Sequence, residues 1–205
     1  MIDQLKFIID PIRLIESFGY AGIALIVFAE SGLLVGFFFP GDSLLFTAGL
    51  LSSKGLLNLL TVVVLSFVAA VVGDNVGYSF GKKVGPRIFN REKSILFDKE
   101  HLIKAEQFYK RHGSKTIVLA RFMPFIRTFA PIVAGVGKMD YKTFFVFNLL
   151  GGFVWAVGMP LAGYFLGRVV PDIDKYLLPI IGFIIIASVL PTLSHIIKER
   201  LLRNR

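Results

Sequence analysis

Cysteine is absent from the chain, so neither a disulfide framework nor thiolate chemistry is available to it. Histidine is scarce: His101, His112 and His195 sit in or beside basic polar segments without metal-ligand spacing, so neither a metal nor another cofactor is expected. The more telling scarcity is of charge. Residues 55–73, 143–167 and 176–194 contain no Asp, Glu, Lys or Arg, and each approaches or exceeds the roughly 20 residues that cross hydrocarbon. With 55% hydrophobic residues over 205 positions and a mean hydropathy of +0.70, the chain reads as one integral membrane domain. No cleaved signal is expected, because Asp3, Asp10 and Pro11 interrupt the order of basic, apolar and small residues that a signal peptide needs.

The charges that are present fall between the apolar runs. Residues 82–113 hold nine Lys/Arg against four Asp/Glu, the tail 198–205 holds four against one, and residues 168–176 balance two against two. The positive-inside rule therefore puts the basic loop and the C-terminus in the cytoplasm, with two crossings between them. The net charge of +9 is thus accounted for by topology and attraction to anionic lipid, and nucleic acid is not an expected partner. Residues 1–18, with two basic and three acidic side chains, leave the side of the N-terminus open.

Two further apolar stretches are broken and charged. Residues 17–29 and 31–41 are each too short to cross alone, and Glu30 divides them; Asp42 follows Phe39-Pro40-Gly41. In the second half, Arg121 and Arg127 flank Met123-Pro124. A charge in hydrocarbon costs at least about 2.5–3.5 kcal/mol on insertion scales, so it persists where it is paired, wetted or used. Broken backbone at that depth is tolerated only where protein or a water-filled cavity covers it, and transporters build midplane sites in this way.

The two halves share a pattern. Ile26-Val27-Phe28-Ala29-Glu30 parallels Ile117-Val118-Leu119-Ala120-Arg121, Ala48-Gly49 parallels Ala134-Gly135, and Gly77-Tyr78-Ser79-Phe80-Gly81 parallels Gly163-Tyr164-Phe165-Leu166-Gly167. Residues 2–18 and 99–111 each space apolar side chains as an interfacial helix does. The predicted fold is an all-α integral membrane protein with two inverted repeats, each an amphipathic helix, a re-entrant hairpin and a transmembrane helix, followed by a C-terminal transmembrane helix. The first repeat covers about 1–81, the basic loop 82–113, the second repeat 99–167 and the last span 176–197. Pro40, Gly41, Pro124, Pro131 and Gly135 are the residues expected to shape the hairpins. Because Glu30 and Arg121 occupy equivalent positions, the repeat predicts that these two meet near a pseudo-twofold axis.

Arginine stays charged at any relevant pH and matches phosphate oxygens two at a time, so Arg121 and Arg127 suit a phosphate headgroup, although snorkelling or simple counter-ion roles would also account for them. Burial and a neighbouring arginine push a carboxyl's proton affinity in opposite directions, which makes Glu30 and Asp42 proton carriers by expectation. Asp42 also fits an ordinary turn and helix cap. Asp74, Asn75 and Asn148 read as boundary or interhelical polar residues, Thr128 as a phosphate ligand or a backbone-bonded hydroxyl, and Trp155 as packing or lipid-facing.

A glutamate followed by Phe39-Pro40-Gly41-Asp42, then Arg121-Phe122-Met123-Pro124-Phe125-Ile126-Arg127-Thr128 running to Ala134-Gly135, resembles the DedA family of membrane proteins, also called the SNARE-associated or VTT-domain family. The resemblance covers essentially the whole chain. It implies facing re-entrant hairpins and movement of lipids between leaflets: bacterial members are implicated in returning undecaprenyl phosphate across the cytoplasmic membrane in dependence on the proton motive force, eukaryotic relatives in phospholipid scrambling. It also implies that the positions matching Glu30, Asp42, Arg121 and Arg127 are functional. The expected partners are therefore membrane lipids and protons, with a homo-oligomer neither required nor excluded.

The expected function is a non-enzymatic, proton-coupled lipid transporter in the cytoplasmic membrane. The alternatives are an energy-independent scramblase, a proton or ion antiporter, and a phosphatase, which would need a nucleophile and an acid-base group that the neighbourhood of the two arginines does not supply in sequence.

Overall fold

A computed structural model describes residues 11–33, 39–88, 115–121 and 123–170. The amphipathic segment 99–111, most of the basic loop and the C-terminal span 176–197 lie outside the described residues, as do residues 1–10 of the first amphipathic segment. Among those described, every regular element is an α-helix: α1 (Pro11–Gly32), α2 (Gly41–Ser53), α3 (Leu59–Ile88), α4 (Lys115–Ala120), α5 (Pro124–Val136) and α6 (Tyr141–Val169).

Two of these are long and apolar enough to cross a membrane, Leu59–Val84 within α3 and Tyr141–Val169. Their faces are arranged as a bilayer requires. Along α3 the exposed side chains Leu60, Val64, Val68, Val72, Val76 and Phe80 recur every fourth residue, so one helical face is a continuous apolar stripe. The opposite face buries Val62, Ser66, Ala70, Asp74 and Tyr78. Apolar outside and polar inside is the pattern of a protein whose solvent is hydrocarbon, where ionisable groups turn toward the bundle. The helix also runs past the end of the uncharged stretch 55–73. Asp74 therefore lies within the 26-residue span 59–84, not at its end as the charge-free run suggested.

The short helices break where the sequence offers breakers. Gly19, at φ 55 and ψ −140, interrupts α1 and separates the amphipathic start from the apolar segment that ends at Gly32. Pro40 precedes α2, and Pro124 opens α5 at a position where a missing N–H costs nothing. Pro131 lies inside α5, where it removes the donor that the Arg127 carbonyl would otherwise meet.

Packing ties the halves together. The first-half helix α2 lies along α6, and the second-half helix α5 lies along α3, while α1 also packs on α3. Glycines permit these approaches. A Cβ on Gly49 or Gly163 would run into the α6 or α2 backbone at Pro160 and Phe46, one on Gly135 or Gly81 into α3 or α5 at Tyr78 and Ile132, and Gly32 and Gly73 cross each other in the same way. Close backbone approach substitutes for a hydrophobic driving force that lipid does not provide. The consequence is that α2 is buried along nearly its whole length. At the far end of α5 a second cluster holds the α5–α6 turn, with Tyr78 stacked on Phe144 at 4.5 Å and its hydroxyl donating to the Met139 carbonyl at 2.5 Å.

Candidate functional site

The broken tips of the two halves meet. Glu30 stands near the C-terminal end of α1, Asp42 in the first turn of α2, Arg121 just after α4 and Arg127 in the first turn of α5. Between α4 and α5 the chain makes a short turn, closed by Met123 N–H donating to Ala120 C=O at 3.0 Å. Arg127 is the centre of the cluster. Its Nη1 donates to Asp42 Oδ1 at 2.7 Å, and its Nη2 is paired with Glu30 Oε1. Trp155 of α6 donates its Nε1–H to the same Asp42 oxygen at 2.7 Å, and its ring lies 4.6 Å from the Arg127 guanidinium carbon.

Helix dipoles explain why this arrangement is needed. A cation at the N-terminal end of α5 and an anion at the C-terminal end of α1 are each misplaced against their own helix, and the pairing offsets both. Gly41 is the residue that admits the pair, since a Cβ there would occupy the space of the Glu30 carboxylate.

Arg121 belongs to a second set. Its Nη2 pairs with Asp74 Oδ2 of α3 and also donates to Asn148 Oδ1 of α6, and Asn148 in turn donates from Nδ2 to the Val71 carbonyl at 3.1 Å. Gly151 and Gly152 leave the room that the arginine fills, with the built Cβ of Gly151 3.1 Å from Arg121 Cδ. The expected contact between Glu30 and Arg121 is thus corrected: each has a different partner. Positional equivalence in a repeat places side chains at comparable depth, while partner choice follows from which helices pack together. Asp74 and Asn148, read from sequence as boundary or interhelical polar residues, bond Arg121 between helices, and Trp155, read as packing or lipid-facing, donates to Asp42; all three are buried.

Both sets lie on one face of α6. Asn148, Gly151 and Trp155 are spaced three and four residues apart, so the Asn148 that holds Arg121 and the Trp155 that faces Arg127 are separated by about two helical turns, ~10 Å. Glu30, Asp74, Arg121 and Arg127 are each no more than 6% exposed, while the Asp42 side chain is 18% exposed. Arg121 Nε, Arg127 Nε, Glu30 Oε2 and the Thr128 hydroxyl are buried without a hydrogen-bond partner among the described residues. These groups carry unspent hydrogen-bonding capacity. Pro40 and Gly41 flank the first tip and Pro124 the second, whereas Pro131 and Gly135 lie farther along α5 and form helix packing. No group of three or more His, Cys, Asp or Glu arranged to hold a metal occurs among the described residues.

An all-helical bundle with an apolar outer stripe and a buried ion-pair cluster at broken helix ends defines an integral membrane protein with an intramembrane polar site. Comparison with known proteins gives the particular family. Residues 39–171 match the VTT domain. Over 212 residues the chain is 43% identical to Protein DedA of Escherichia coli (strain K12), an alignment covering 97% of this chain and 96% of that protein. It is 40% identical over 191 residues to an uncharacterized membrane protein of Mycobacterium leprae, covering 90% and 85% of the two chains, and 34% identical over 158 residues to the E. coli inner membrane protein YqjA, covering 77% and 71%. No solved structure matches. The chain belongs to the DedA family of VTT-domain membrane proteins.

Proposed function

We propose that this protein is a transporter of lipid phosphate that moves a polyprenyl phosphate of the undecaprenyl type across the cytoplasmic membrane and couples the movement to protons. The observation that carries the reading is the pair of buried guanidinium groups on either side of the second broken tip, each with its Nε unspent. Two helix N-termini, those of α2 and α5, converge on the same cluster through the contact between Asp42 and Arg127, and N-termini favour anions. The identity of the lipid rests on the family.

Charge counting supports the coupling. With Asp74 included, three acids face two arginines, so the cluster carries −1 when all five are ionised. A phosphate monoester adds about −1.5 to −2, so docking it in a dry site calls for roughly two to three protons on the carboxylates. Glu30 and Asp42 share one arginine and are the first to load. In this reading the tips are re-entrant hairpins of an inverted repeat, the protein is multi-pass, and the basic loop 82–113 and the C-terminus face the cytoplasm.

The test is flipping of a labelled polyprenyl phosphate in proteoliposomes, with an ordinary phospholipid as comparison. The expected result is selective flipping that a pH gradient accelerates and that Arg127→Ala and Arg121→Ala abolish. Equal rates for both lipids, indifferent to the gradient, would instead establish a scramblase. The excess of acids over arginines favours one other reading, a proton antiporter, for which dissipation of a pH gradient by an added cation without lipid movement is the diagnostic result.

A further inference from the structure

Arg121 is already paired in the described state: Asp74 and Asn148 both accept from its Nη2, while its Nε has no partner among the described residues. A phosphate that captures this guanidinium must compete with a carboxylate already on it. The competition is unfavourable while Asp74 is charged, since both anions would face one cation in a buried site. Asn148 differs: as a neutral acceptor anchored to the Val71 carbonyl, it can hold Arg121 whichever anion is present.

From this juxtaposition we propose that Asp74 is a displaceable, proton-controlled counter-ion of Arg121. By taking a proton onto its carboxylate it releases the guanidinium to the headgroup phosphate, while Asn148 keeps the arginine in place. The inference rests on the phosphate reading above and adds a third proton acceptor to it. The rest of the environment fits a separate role for this acid. Among the described residues, the charged and titratable groups around Asp74 are Arg121 beyond α4; Glu30, two residues before the Gly32 that crosses Gly73; Asp42 and Arg127, about two turns along α6; Tyr78 on α3 itself; and Tyr141, which bonds Asn75. Arg127 is committed to Glu30 and Asp42, so Asp74 has Arg121 as its cation, and Arg121 has Asp74 as its acid. The Arg121 pair is neutral by itself, so the phosphate that displaces Asp74 adds its full charge of about −1.5 to −2, of which a proton on Asp74 offsets one unit.

The experiment is titration calorimetry of the full chain in detergent with dodecyl phosphate, repeated in buffers of different ionisation enthalpy and over a range of pH to count protons taken up; the probe's own protonation is common to all variants. Wild type is expected to bind more weakly as pH rises, by about tenfold per pH unit for each linked proton. Asp74→Asn should take up about one proton fewer and bind more tightly than wild type at alkaline pH. Asn148→Asp should do the reverse, with about one proton more and weaker alkaline binding, and it keeps the proposal testable if Asp74→Asn fails to fold. Proton uptake unchanged in either variant, or Asp74→Asn binding more weakly at every pH, overturns the proposal and marks Asp74 as structural. Binding that survives Arg121→Ala unchanged overturns the phosphate assignment of Arg121 itself, a separate failure.

Discussion

Removing Arg127 should damage the protein far more than removing the acids with it. The guanidinium is 6% exposed and holds two carboxylates, one of them shared with the Trp155 indole. Breaking a buried pair by deleting one partner costs about 3–5 kcal/mol, because the other charge is left without compensation. Arg127→Ala leaves Glu30 and Asp42 facing each other with no cation between them, and it also loses the contact with the Trp155 ring, itself about 0.5–2 kcal/mol. At roughly 2–4 °C per kcal/mol for a chain of this size, the two losses together should lower the melting temperature in detergent by roughly 7–28 °C. The triple variant Arg127→Ala, Glu30→Gln, Asp42→Asn removes the charges together and should recover most of that loss, as a thermodynamic cycle over the three positions would register. It should not recover lipid movement. A triple variant that melts as low as the single one would refute the reasoning, since the loss would then be of packing and not of charge balance.

Two further predictions concern local geometry. Gly41→Ala places a methyl where the Glu30 carboxylate lies, so it should lower the melting temperature in the wild-type background yet be nearly neutral alongside Glu30→Ser, which vacates the space and leaves Asp42 with Arg127 as a neutral pair; equal effects in both backgrounds would contradict this. Asp140 caps α6, and acceptance of the Thr143 N–H at 2.9 Å holds its carboxyl below the ordinary value of 3.8. Its folded value being depressed, the contribution is present above the unfolded value and lost as pH falls through the folded one. The melting difference between wild type and Asp140→Ala should therefore shrink on acidification below pH 3.8.

Much of the site could be read before any coordinates. Glu30, Asp42, Arg121 and Arg127 stand out because each interrupts an apolar stretch near glycine or proline; Glu30, Asp42 and Arg127 meet at broken helix ends, and Arg121 lies in the neighbouring set with Asp74. Asp74 and Asn148 give a weaker signal. Asp74 abuts an uncharged run and so resembles a boundary residue, until the continuation of α3 to residue 84 and beyond carries it inside the span. A sharper reading was available in the i, i+4 stripe of Leu60, Val64, Val68, Val72 and Val76: it assigns the outer face of α3 and thereby turns Asp74 inward. Trp155 carries no sequence mark of its role, because an indole on an apolar helix looks the same whether it meets lipid or a carboxylate.

The sequence by itself determined that this is a membrane protein, where its helices break, which charges lie at the breaks and which family it belongs to, because each of these follows from local composition and spacing. Which acid holds which arginine was decided only by tertiary structure. Glu30 and Arg127 are 97 residues apart, and Asp74 and Arg121 are 47 apart. Their pairing depends on α2 lying along α6, on α5 lying along α3, and on glycines that let backbones and side chains approach. Opposite charges attract at any buried site, and packing geometry selects which of them come within reach.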